Sequence, residues 1–441
     1  MRFKVVVIIF VTAVTLLSCT ERTLNIPQVT SPVLESVTTL GGSLNEVARS
    51  VVVTSDGGYA VLGYSQSNDG ALFGKINTSF DYYVLKYSSS NTLEWFKTYG
   101  GSNDDRGSSI IQTTDGGYAI FGYSNSNDLD VTDNAGGRDF WLVKLASNGN
   151  LLWQKTYGYI GKDDGQIIIQ TKDGGFLIAG ELDVTSSGGE GNSQAKIQHA
   201  GGDYWVLKLD SFGAIEWSKY YGGNFTDTPR GIAVSNDGGY VIVGTSDSTD
   251  VDISNNKGTY DFWVIKISPT GTLLWEKNFG GSQIDEARGI IKTDDGNFLV
   301  VGDTTSTDSD VSANNGGADL WVLKIDNEGN LLWEKNYGGR SFDVARSIKK
   351  TNSGGFIISG SSRSSDNDFT NNGQNDGLLM ILTQDGDVEW QYTIGGSDID
   401  FLYDAVQLPN GTFVGVGESS SADIQISENK GFSDLLIITL K

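Results

Sequence analysis

Cysteine and histidine are nearly missing from this chain: one of each, Cys19 and His199, in 441 residues. One cysteine makes no internal disulfide, and the two residues together supply no Cys/His zinc set. They offer no histidine-based triad and no cysteine nucleophile. His199 lies in a Ser/Gly-rich stretch, residues 186–202, and reads as a solvated loop residue. A Gly-x-x-x-x-Gly-Lys phosphate loop is missing too. Cations are scarce: 31 Lys and Arg face 55 Asp and Glu, a net charge of −24. Nucleic acid and anionic head groups are then poor partners, because phosphate binding needs clustered cations. One extended apolar stretch exists, residues 5–17, shorter than the ~20 residues that span a bilayer.

That stretch follows Met1-Arg2-Phe3-Lys4 and precedes Ser18-Cys19. A basic start, a short apolar segment and a small-residue site make a secretory signal, residues 1–18. Leu16-Leu17-Ser18-Cys19 resembles the bacterial lipobox. The resemblance implies a lipid-modified Cys19 at the mature N-terminus, and so a membrane partner reached through the anchor. Thr20, in place of Asp, implies the outer membrane, and Glu21 and Arg22 point to the cell surface rather than the periplasmic face. Residues 19–32 then form the lipidated start and a tether with Pro27 and Pro32. From residue 20 on, the tether reaches at most roughly 45 Å.

Residues 33–441 carry one pattern seven times. Its second copy runs Gly100-Gly101-Ser102, Ser109-Ile110-Ile111, Asp115-Gly116-Gly117-Tyr118, Asp139-Phe140-Trp141-Leu142-Val143-Lys144 and Gly149-Asn150-Leu151-Leu152-Trp153. Copies start near Gly41, Gly100, Gly158, Gly222, Gly280, Gly338 and Gly395, at intervals of 59, 58, 64, 58, 58 and 57 residues. A fixed period of this size signals a repeat architecture. Each copy holds four short runs rich in β-branched and aromatic residues, in the second copy 108–112, 118–124, 140–145 and 151–157. Gly-Gly or Asn-Gly steps and Gly-Asn turns join them as hairpins. Neighbouring residues such as Leu142 and Val143 are both apolar, as in strands covered on both faces. The seventh copy lacks its fourth strand, and residues 33–40 supply a matching strand before Gly41. The expected fold is all-β: a seven-bladed β-propeller of four-stranded antiparallel blades, its last blade closed by the N-terminal strand.

The Gly-x-Leu-x-Trp segments resemble those of tryptophan-docking, quinoprotein-type propellers. The whole unit more closely resembles repeats in secreted and lipid-anchored proteins of Bacteroidetes-type bacteria. Three departures stand out. The period exceeds that of a docking repeat. Blades six and seven replace the third-strand Trp and Lys. Without a vicinal Cys pair, quinone-dependent dehydrogenase activity does not carry over.

Two acidic series are candidate sites. The first sits five residues after each leading glycine: Glu46, Asp105, Asp163, Asp227, Asp285, Asp343 and Asp400. In a propeller these would ring a channel mouth, just before the innermost strand. Arg49, Arg230, Arg288 and Arg346 follow three residues later, with Ser108, Gln166 and Tyr403 in the other blades. This series reads either as turn caps paired with arginines or as a polar, ligand-binding rim. The second series lies between second and third strands: Asp128, Asp130 and Asp139; Asp250, Asp252 and Asp261; Asp308, Asp310 and Asp319; Asp366, Asp368 and Asp376. Alternating oxygen ligands suit calcium, although the spacing departs from the EF-hand loop; a solvated loop held by Asx-turns is the other reading. The tryptophans, at fixed strand positions, read as blade-packing residues.

The functional expectation is a non-enzymatic binding or scaffold module for a glycan or an envelope protein. The alternatives are an envelope-assembly factor of the docking-propeller type and a polysaccharide-acting enzyme that uses channel-mouth carboxylates.

Overall fold

The computed structural model describes residues 31–72, 75, 77–191, 199–367 and 369–441. The signal segment, Cys19 and all but the end of the tether lie outside the described residues. Seven antiparallel sheets follow one another in chain order. Blade one is Glu46–Val53, Tyr59–Ser65, Asp81–Tyr87 and Leu93–Tyr99, and the other blades repeat it. Blade two gains a two-residue fifth strand, Gly161–Lys162, paired in parallel with Gly137 and Arg138.

The repeated motifs have a local cause. In the Asp-Gly-Gly hairpin of blade two, Asp115 accepts hydrogen bonds from Thr113 Oγ1 (2.5 Å) and the Gly117 N–H (2.9 Å). The lysine closing the third strand reaches the same carboxylate: Lys144–Asp115 is 2.9 Å, Lys208–Asp173 2.8 Å, Lys266–Asp237 2.7 Å. Lys86–Asp56 and Lys324–Asp295 repeat the clasp in blades one and five. Blades six and seven carry Ile381 and Thr439 where the lysine would stand, and Ser353 and Asn410 where the aspartate would. Both partners of the clasp are lost together.

The apolar core sits between blades. Seven buried clusters form, one at each junction, the last shared by blades seven and one. Leu142 and Val143 are both fully buried, because each face of a blade meets a neighbour. Third-strand aromatics pack at a tilt against the next blade's tryptophan: Tyr82 on Trp141 (centroids 4.6 Å), Tyr204 on Trp263 (4.6 Å), Phe262 on Trp321 (4.8 Å). On the outer strands, Trp95 lies against Gly149 of the next blade while Tyr99 Oη donates to the Gly149 carbonyl (2.6 Å). Trp153 and Tyr157 treat Gly213 the same way, and Trp217 and Tyr221 treat Gly271. The glycine that opens Gly-x-Leu-x-Trp is thus the receptor for the preceding blade.

Ring closure follows the expectation. Leu34–Leu40 pairs antiparallel with Asp434–Leu440 as the outer strand of blade seven. The Val33 N–H donates to the Lys441 carbonyl at 2.8 Å, and the Lys441 N–H donates to the Val33 carbonyl at 3.0 Å.

Candidate functional site

The innermost strand of every blade carries one β-bulge, always at the same place. Register shifts fall between Ala48 and Ser50, Gly107 and Ser109, Gly165 and Ile167, Pro229 and Gly231, Ala287 and Gly289, Ala345 and Ser347, and Leu402 and Asp404. The bulged residues are therefore Arg49, Ser108, Gln166, Arg230, Arg288, Arg346 and Tyr403. A bulge adds an unpaired residue and re-aims its side chain. All seven line one cavity of ≈ 620 Å³ in the central channel. The sequence placed the first strand of blade two at 108–112. In the structure it begins at Asp105, so the arginine position lies inside the ladder and not at its entrance.

The cavity is electropositive inside an acidic protein. Asp404 is the one acid among its described lining residues, and it is bound to Lys349 Nζ (2.6 Å) and the Val51 N–H (2.9 Å). Arg230 Nη1 donates to Gln166 Oε1 at 2.8 Å. Arg288 donates to Glu286 and, through Nε, to Asp303 at 3.3 Å. Arg49 lies over the Tyr403 ring, 4.2 Å from its centroid, and Arg346 lies 5.8 Å from the same ring. Tyr403 Oη donates to Glu418 Oε1 at 2.5 Å. Burial, then the charges of Arg288 and Arg49, pull Arg230 down to about 10. Burial and Arg288 lower Arg346 as well. Burial also acts against charged Arg288, but Asp303 and Glu286 outweigh it and hold its pKa up.

The two halves of the first acidic series separate. Glu46, Asp105, Asp163, Asp227, Asp285, Asp343 and Asp400 are fully buried, and none lines the cavity. Each accepts the N–H four residues earlier, as in Gly101 to Asp105 (2.7 Å) and Gly281 to Asp285 (2.7 Å). These carboxylates cap the turn, but the expected pairing with the arginines is replaced by Gln166, Glu286, Asp303 and Tyr403. Sequence reasoning missed Lys349 and Asp404. Their signal is a charged pair in first-strand columns that are otherwise apolar or small.

Among the described residues, no group of three or more Asp, Glu, His or Cys side chains is placed to hold a metal. Asp128, Asp250, Asp308 and Asp366 each accept a backbone N–H from the loop after the leading glycine, for example Ser102 to Asp128 at 2.8 Å. Asp130, Asp252 and Asp310 accept the N–H of that glycine, at 3.2–3.3 Å. Asp139, Asp261, Asp319 and Asp376 turn to the next blade; Asp368 lies outside the described residues. There Asp261, Asp319 and Asp376 each meet a member of the first series over a leading glycine: a Cβ on Gly280 would lie 2.4 Å from Asp261 and 2.6 Å from Asp285; Asp139 sits over Gly158 and acts on Asp163 through its charge. Asp81 with Asp105, Asp203 with Asp227 and Asp434 with Glu46 complete the pattern. Burial raises Asp261 and Asp227 to about 7, and the facing carboxylate adds to the rise.

His199 is not solvated. Its side chain is buried, with Nδ1 2.6 Å from Asp203 Oδ2 and Nε2 4.0 Å from Asp252. Burial opposes its charge, but the hydrogen bond and charge of Asp203 prevail and raise its pKa.

No family model matches the chain. Regulatory protein FlaEY of Caulobacter vibrioides is 21% identical over 404 residues, which span 82% of this chain and 41% of that protein's length. Among solved structures, a Bacteroides caccae protein of unknown function is 12% identical, with 67% of this chain and 81% of that one covered and a TM-score of 0.37. A glucose dehydrogenase is 10% identical over 74% of this chain and 95% of its own, with a TM-score of 0.39. The chain is a seven-bladed β-propeller of four-stranded antiparallel sheets.

Proposed function

We propose that this chain is an exported, lipid-anchored binding module of the bacterial outer membrane, which takes a glycan or an envelope protein into its central channel. One observation carries the binding role. Seven bulges aim seven side chains into one ≈ 620 Å³ cavity, where Ser108, Gln166 and Tyr403 break the arginine of the other four blades. Cavities of this size suit a small ligand or a terminal group. The membrane assignment rests on Leu16-Leu17-Ser18-Cys19 alone.

Two experiments test the reading. A glycan panel and an envelope-protein capture assay compare the wild type with Ser108→Trp, which fills the cavity at a neutral blade. Binding lost in a variant with an unchanged unfolding midpoint supports the channel; binding retained moves the site elsewhere. Whole-cell protease treatment separates a surface module from a periplasm-facing assembly factor. A second reading, a polysaccharide-acting enzyme, draws on Tyr403 held 2.5 Å from Glu418 beside Arg49. Polysaccharide turnover abolished by Tyr403→Phe would favour it.

A further inference from the structure

The channel's four arginines are not equivalent. Arg288 is neutralised by Glu286 and Asp303, and Arg230 is held by Gln166. Arg49 and Arg346 make no ion pair or hydrogen bond among the described residues; Asp303 reaches Arg346 only through its charge, and Arg346 Nε is buried without a hydrogen-bond partner. Both guanidinium groups lie against the Tyr403 ring, and Arg346 lies 5.9 Å from the Phe401 ring as well. Tyr403 stacks under Arg49 and beside Arg346, and its hydroxyl is anchored on Glu418. Cation–π stacking fixes the plane of a guanidinium while leaving its N–H fork free for a second partner.

This arrangement is not the chain's default. With 55 acidic residues against 31 basic ones, counter-charges are abundant, and most other buried or half-buried cations find one. Lys86, Lys144, Lys208 and Lys266 each end on carboxylates, and Arg138 Nη1 reaches both oxygens of Asp164 at 3.0 and 3.2 Å. Gathering like charges in a partly desolvated channel is unfavourable unless an anion joins them. Two planar guanidinium groups beside one rigid ring match a carboxylate, sulfate or phosphate group.

We propose that Arg49 and Arg346, braced by Tyr403, form an oxyanion clamp that holds the acid group of an anionic sugar or a free inorganic oxyanion in the channel. The inference rests on the channel-binding reading above and adds the chemistry of the ligand. A neutral glycan lacks the group the clamp recognises.

Isothermal titration calorimetry of the purified chain with glucuronate, glucose and inorganic phosphate tests this. The variants are Arg49→Gln, Arg346→Gln, the double variant, and Arg49→Lys. Glucuronate should bind and glucose should not, with affinity falling as salt rises. Each glutamine substitution should weaken binding about tenfold or more, and Arg49→Lys should recover only part of the loss, because charge returns without the fork. Arg-dependent phosphate binding stronger than glucuronate binding would support the clamp and identify a free oxyanion as its ligand. The glutamine variants should unfold at the same urea midpoint as the wild type or a higher one, since a repelling charge is removed. Glucuronate bound equally well by the double variant, or no heat from either anion, overturns the clamp. If panel glycans still bind and Ser108→Trp still abolishes that binding, the channel reading survives that failure. If Ser108→Trp leaves panel binding intact, both fall.

Discussion

Gly149 shows how much one residue carries in this repeat. Its φ of +78° is strained for any residue with a Cβ, and an added methyl would sit 2.8 Å from the Trp95 ring. Gly116 has a similar φ of +80° with nothing within 4 Å of the added atom. Gly116→Ala should therefore cost only the backbone strain, about 1–2 kcal/mol. Gly149→Ala should cost more, because it also displaces the tryptophan from its seat. Urea unfolding of the two variants measures the difference, and equal midpoints would show that the Trp95 contact adds nothing. The clasp aspartates divide similarly. Lys266→Met removes an ion pair whose acid is half exposed and should cost under about 1 kcal/mol. Asp237→Ala also strips acceptors from Ser235 and the Gly239 N–H and should cost about 1–2 kcal/mol more. A larger loss from the lysine than from the aspartate would refute this ranking.

At the scale of the blade, the junction is the unit of stability, and each junction buries a pair of carboxyl groups. Asp139 is pushed up to about 6 and Asp163 to about 7, in both cases chiefly by burial. Asp319 and Asp376 stand at about 6 for the same reason. Their ordinary value is 3.8, so the folded state holds these protons more tightly than the unfolded chain does. The stabilisation is full below about pH 4 and is lost as pH rises through 6 to 7. The hairpin acids act in the opposite sense. Lys208 and Thr171 hold Asp173 at about 2, and Lys266 and Ser235 hold Asp237 at about 2, so their contribution is lost as pH falls below 4. The unfolding midpoint should therefore peak near pH 4, decline up to about pH 7 and level off above it. Asp139→Asn should flatten that decline. A midpoint that rises steadily from pH 5 to 8 would contradict the protonated pairs.

The whole molecule is held as a ring by one strand from the other end of the chain. Removing residues 34–40 would expose Asp434–Leu440, whose residues are all buried, as an open apolar edge. The truncated chain should melt well below the intact one and self-associate in size-exclusion chromatography. A peptide of residues 33–40 added in trans should reverse both effects by strand addition. A monomeric truncation with an unchanged midpoint would mean that blade contacts alone hold the ring.

The repeat, the four strands of each blade, their hairpins and the closing strand were all legible in the sequence. Strand length, a positive-φ glycine and an apolar pair covered on both faces are local properties of the chain. The same holds for the Asp-Gly-Gly and Lys motifs, although their joining into one clasp needs the folded blade. What only the tertiary structure decided is where the charges face. Asp139 reads as a neighbour of Asp128 and Asp130 along the chain, yet it sits over Gly158 and its charge acts on Asp163 of the next blade. Arg49 reads as the partner of Glu46, yet a bulge turns it into the channel while Glu46 caps Gly42. A bulge is a mismatch of register between two strands, and a junction joins residues from different repeats. Neither leaves a trace in the periodicity of a single strand, so the position of the arginine clamp emerges only once the ring has closed.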